Sequence, residues 1–136
     1  MEFPPGLPLP CLAMKLRVRD NTLRLRLTRS EVEALQQGTP VEARTLVAPG
    51  QVFTYRIEVA GTATLAATFS GGVLVVRAPG ETVQAWAAGE DEGMSGEQPV
   101  AGSEPLKITV EKDFACLKPR DPAEDRDAFP HPRAAC

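Results

Sequence analysis

The chain has 136 residues, 15 Lys and Arg against 18 Asp and Glu, a formal net charge of −3 and 43% hydrophobic residues. That is one domain's length with an ordinary apolar fraction, and no run of about 18 apolar residues is present to cross a membrane as a helix. The acidic balance argues against a general nucleic-acid binder, and aromatics at only 5% leave Leu, Val, Ala and Ile to build the core.

The first thirteen residues, MEFPPGLPLPCLA, differ from everything after them. Pro4, Pro5, Pro8 and Pro10 forbid a regular helix or a central strand. No basic segment precedes the apolar residues, so a secretory signal is not expected. Residues 1–13 are expected to be a disordered or misassigned leader, with the natural start at Met14 and a cytoplasmic chain whose thiols stay reduced.

From Met14 the pattern is periodic. Leu16–Arg19 and Leu23–Leu27 alternate strictly around Asp20-Asn21, which predicts a hairpin. Thr28-Arg-Ser-Glu31 has the spacing of a capping box, and it opens a short helix over about residues 29–37 that stops at Gly38. Val41–Val47 and Val52–Val59 read as strands around Pro49-Gly50, and Thr62–Phe69 and Val73–Arg77 as a hairpin around Ser70-Gly71-Gly72. Pro79-Gly80 opens a second amphipathic helix with Val83 and Trp86 inward, ending at Gly89. Glu90–Pro105 is acidic, Gly-rich and poor in apolar residues, which predicts a mobile loop before a last strand at Leu106–Lys112.

The expected fold is α+β and dominated by β. It has about seven strands in a mostly antiparallel sheet, two short helices and an irregular C-terminal tail. Residues 14–114 form the core domain, and residues 115–136 form an acidic tail, containing Pro and Cys, that packs on it. No internal repeat is visible.

Charge is divided unevenly along the chain. Residues 14–29 hold six cations and one acid, whereas residues 81–127 hold twelve acids. The hairpin would gather Lys15, Arg17, Arg19, Arg24 and Arg26 on one face, a candidate site for an anionic partner because guanidinium forks suit phosphate and carboxylate. Alternatively these long side chains cover a sheet face and pair with Glu42, Glu58 or Glu111. The tail acids Glu124, Asp125 and Asp127 are candidates to return to the same face, with Phe129 plugging an apolar pocket.

A second candidate lies in the tail. Cys116, Asp127, His131 and Cys136 supply four groups of the type that bind zinc or iron, but no C-x-x-C knuckle accompanies them. The leading reading of the two cysteines is ordinary thiols, and a disulfide or redox pair is a further alternative. Catalysis is not expected: there is one histidine, and no nucleophile elbow, Walker loop, HExxH or GxGxxG.

MKLRVRDNTLRLRLTRSEV at the start and EDRDAFPHPRAAC at the end, with EKDFACLKPR between them, resemble a small uncharacterised bacterial family. Its members open MK[IL]R, continue LRLRLTxSEV and close on an acidic Dx[FY]PxP segment and a cysteine. The resemblance covers residues 14–136 and implies a domain of unknown function. The expected role is therefore a non-catalytic binding or accessory protein, with no cofactor unless the tail holds zinc or iron. A protein partner or a second copy is the expected partner class, and membrane or nucleic acid is not. The alternative is a metal-binding protein or metal-dependent enzyme built on the tail.

Overall fold

Strict Leu/Arg alternation leaves one satisfactory arrangement for the first ribbon: leucines inward, cations outward. In the computed structural model, which describes residues 14–114 and Phe129, β1 (Lys15–Arg19) and β2 (Thr22–Leu27) pair antiparallel with Arg19 opposite Thr22. Leu23, Leu25 and Leu27 are buried. The chain turns at Asp20, whose φ of 49° is in the left-handed region that Asp tolerates better than most residues. The predicted capping box is present: Thr28 Oγ1 accepts from the Glu31 amide, and Glu31 Oε1 accepts from the Thr28 amide at 2.9 Å. It starts α1 (Arg29–Gln36), which buries Val32 and Leu35.

The remaining elements are β3 (Val41–Ala48), β4 (Gln51–Ala60), β5 (Ala66–Ser70), β6 (Val73–Pro79), α2 (Gly80–Ala88), β7 (Gly93–Gln98) and β8 (Leu106–Lys112). The fold class is α+β and strand-dominated, as the alternation implies, but the strands form two four-stranded sheets. One runs β1-β2-β8-β7 and the other β3-β4-β6-β5. All four hairpins are antiparallel, yet the central pairs β2–β8 and β4–β6 are parallel, so neither sheet is purely antiparallel.

Glu90–Pro105 is not wholly a loop, because it contains β7, an eighth strand carrying a single buried apolar residue, Met94. Its pairing on β8 explains this, since a Cβ at Gly93 would stand 3.0 Å from the Val110 carbonyl oxygen. Among the described residues, no helix is long and apolar enough to cross a membrane.

The two sheets are related by an internal pseudo-two-fold. Exchanging β1-β2-α1-β3-β4 with β5-β6-α2-β7-β8 maps one strand order onto the other read backwards. Met14, Leu23, Leu25, Leu27, Val32 and Leu35 correspond in sequence to Leu65, Leu74, Val76, Ala78, Val83 and Trp86, and all twelve are buried. Asp20 likewise corresponds to Gly71, which has a φ of 58°. Through strand pairing, Val41 and Ile57 correspond to Met94 and Val110. Each half thus lends one hairpin to each sheet, and α1 packs on α2 between them.

The symmetry fails at the sheet corners. Where β5 meets β7, the Gln98 side chain spans the gap: its Oε1 accepts from the Ala67 amide at 2.7 Å and its Nε2 donates to the Ala67 carbonyl at 3.0 Å. Gly96 lies so close that a Cβ there would stand 2.7 Å from Thr64 Oγ1. At the equivalent corner, no described side chain fastens β1 to β3 in this way. Just before β1, the Met14 amide donates to Glu31 Oε2 and its carbonyl accepts from Tyr55 Oη, both at 2.8 Å.

Candidate functional site

The structure brings all five ribbon cations together. Lys15, Arg17 and Arg19 on β1 and Arg24 and Arg26 on β2 share the outer face of their sheet. Lys15 faces Arg26 and Arg17 faces Arg24 directly across the strands. Like charges so placed destabilise a ribbon by a few tenths of a kcal/mol each, so the arrangement opposes folding. Lys15, Leu16, Arg17, Arg24 and Arg26 line an open concavity of about 250 Å³.

Among the described residues, Glu111 is the acid that forms ion pairs with these cations, at Arg24 and Arg26. Glu111 on β8 lies beside Arg26, with its Oε1 3.5 Å from Arg24 Nε and 3.6 Å from Arg26 Nη2. Both contacts are long, and the buried Oε1 accepts no hydrogen bond from a described residue. No described acid forms an ion pair with Lys15, Arg17 or Arg19. Lys107 on β8, between Thr22 of β2 and Glu97 of β7, adds a sixth cation that the hairpin pattern alone did not flag. The hydroxyls of Thr109 and Ser95 continue the Arg17–Arg24 row across the sheet.

The other sheet is the internal control. Its outer face carries an alternating ladder in which Arg44 and Arg56 hold Glu42, and Arg56 and Arg77 hold Glu58, at 3.1 to 3.4 Å. Arg77 and Glu58 are the counterparts of Arg26 and Glu111, so one ion pair is shared by both halves. Where the first sheet has Lys15, Arg17 and Arg24, the second has Ala66, Thr68 and Val75. Of the three acids expected from sequence as partners for the ribbon, Glu111 is in contact with it, while Glu42 and Glu58 belong to the other sheet.

A family model described as a family of unknown function, DUF7009, matches residues 14–133. The chain belongs to that family. No curated protein and no solved structure matches it. The match takes in the basic ribbon, both helices and both sheets. The family carries no assigned activity to set against this geometry.

Of the tail candidates, Cys116, Asp127, His131 and Cys136 lie outside the described residues, as do Glu124 and Asp125. Among the described residues, no group of three His, Cys, Asp or Glu side chains is placed to hold a metal. Phe129 is described: its amide donates to the Asp113 carbonyl at 2.7 Å and its ring stands 5.7 Å from that of Phe114.

Sequence reasoning missed the buried lysine under that ring. Lys112 is only 5% exposed. Its Nζ donates to the Gly89 carbonyl at the end of α2 at 2.8 Å and lies 5.4 Å from the Phe129 ring centroid and 5.9 Å from that of Trp86. Burial pushes its pKa down, and nearby Asp91 partly opposes that shift. A cation at a helix C-terminus, flanked by aromatic faces, is the environment that tolerates a buried ammonium. Its inward strand parity was legible; the helix end it caps was not. Tyr55, also inward, has its phenol pKa raised by burial and secondarily by Glu31.

Proposed function

We propose that the protein is a non-catalytic binding domain that takes an anionic partner on the outer face of the β1–β2 ribbon. The observation that supports this reading is the contrast between two equivalent sheet faces. One balances its arginines with glutamates, and the other sets six cations against Glu111 and Glu97. Surface charge of one sign, held at a cost in cross-strand repulsion, is what electrostatic recognition requires.

The test uses polyglutamate and inorganic tripolyphosphate as probes, titrated into the full chain by calorimetry. Binding should weaken steeply with salt and fall roughly tenfold in the double variant Arg17→Thr, Arg24→Val, which copies the other sheet. Binding that ignores both salt and these substitutions, or no binding to either probe, would overturn the reading.

A further inference from the structure

The two outer edges that the pseudo-two-fold makes equivalent, β1 and β5, differ in how their outward backbone groups are met as well as in charge. On β5 the outward-pointing amide and carbonyl of Ala67 are both satisfied by Gln98. On β1 the counterpart of Ala67 is Leu16. A two-residue loop closed by the Arg19–Thr22 pair makes Arg17–Arg24 and Lys15–Arg26 the hydrogen-bonded pairs. The amides and carbonyls of Leu16 and Val18 therefore point away from β2. Among the described residues, no hydrogen bond to them comes from beyond the sheet edge. Met14, two residues earlier, shows what a satisfied position looks like, with Glu31 and Tyr55 taking its amide and carbonyl.

Along this edge three features coincide. Leu16 and Val18 offer donors and acceptors in strand register. Lys15, Arg17 and Arg19 stand on the outer face at the spacing of about 6.8 Å that separates same-face residues of any strand. On the inner face Val18 is 62% exposed, an apolar side chain that nothing described covers.

We propose that the free edge of β1 receives an extended segment of a partner protein as an added strand, with carboxylates at alternate positions on the outer face and apolar side chains between them. This rests on the anion-binding reading above and names the partner that the reading leaves open. An extended peptide backbone supplies donors and acceptors in register to Leu16 and Val18 together, whereas a carboxamide such as Gln98 serves one residue and phosphates of a nucleic acid would leave the carbonyls unpaired. A second copy of β1 laid alongside would oppose cation to cation, so the same charges that select an acidic strand reject self-pairing. Edge addition of this kind draws affinity from the main chain and specificity from alternate side chains.

The experiment adds a fluorescein-labelled peptide of about nine residues, alternating Glu and Val, to the full chain. Anisotropy reads binding, and amide hydrogen exchange reads the edge. The expected result is binding at low ionic strength with new protection at Leu16 and Val18. Binding should weaken roughly tenfold in Arg17→Glu, and by at least as much for the same peptide N-methylated along its paired edge. Equal binding of the methylated peptide, without protection at Leu16 and Val18, overturns strand addition and leaves the anion-binding face standing. Failure of the peptides and of polyglutamate alike overturns both. Protection of the two amides in the free chain, lost in Asp125→Asn, Asp127→Asn, overturns the separate partner in favour of the chain's own tail.

Discussion

Glu31 does more than cap a helix. One carboxylate oxygen completes the box with Thr28, and the other holds the Met14 amide, so the start of β1 and the start of α1 are tied through a single side chain. Tyr55 then fastens the Met14 carbonyl from the opposite sheet. Tyr55→Phe should cost about 1 kcal/mol by leaving that carbonyl unpaired, measured by urea unfolding near neutral pH. The same residue and Lys112 give opposite alkaline signatures. With its pKa raised in the fold, Tyr55 stays neutral where the unfolded phenol ionises, so stability falls as pH rises above about 10. With its pKa lowered, Lys112 is penalised while charged, and stability is regained as pH rises from the folded value toward the unfolded one of about 10.4. Between about pH 8 and pH 10.5, Tyr55→Phe should therefore lose less stability than the wild type, and Lys112→Met should lose more.

At the scale of elements, strands with alternating side chains were legible and the one that lacked them was not. β2, β4 and β8 alternate inward apolar and outward polar residues, and α1 carries its capping box in plain view. β7 has Gly93 and Gly96 where alternation would put side chains, because backbone and side-chain atoms from β8 and from Thr64–Leu65 fill that space. Parallel pairing of β2 with β8 was equally hidden, since short connections between neighbouring strands suggest antiparallel order and say nothing of partners far apart in sequence. The internal repeat escaped notice because it survives only in the core. Leu25 and Val76 play one part, whereas Arg24 and Val75 beside them share nothing. The closed corner offers a direct check of this account. Gly96→Val should destabilise by about 1 to 3 kcal/mol through overpacking against Thr64 and Leu65. Gln98→Ala should cost a similar amount by stranding the Ala67 amide and carbonyl. Thermal unfolding of both variants would show it, and no change in either would mean that the corner is not a real fastening.

For the whole molecule, the candidate site is a departure from symmetry. Sequence alone placed the five cations on one face, but the second sheet shows an alternative the same fold permits: arginines interleaved with glutamates. The double variant Arg17→Thr, Arg24→Val should accordingly fold as well as the wild type or gain a few tenths of a kcal/mol, while losing anion binding. A combined loss of stability and binding would instead mark the two arginines as structural.

Exchange of hairpins between the halves also sets an order of assembly. The second sheet is drawn from one continuous stretch, Val41 to Pro79, whereas the central pair of the first joins Thr22 to Lys107. Loop closure favours the first event over the second, so the ribbon that carries the cations waits for the last strand before its sheet exists. During synthesis, β1 and β2 emerge first and find their partner last. Val76→Ala should therefore slow refolding, and Ile108→Ala should mainly hasten unfolding. The charge that sets β1 against a second copy of itself would then act before folding is complete as well, keeping a bare two-stranded ribbon apart from its own copies until β8 arrives.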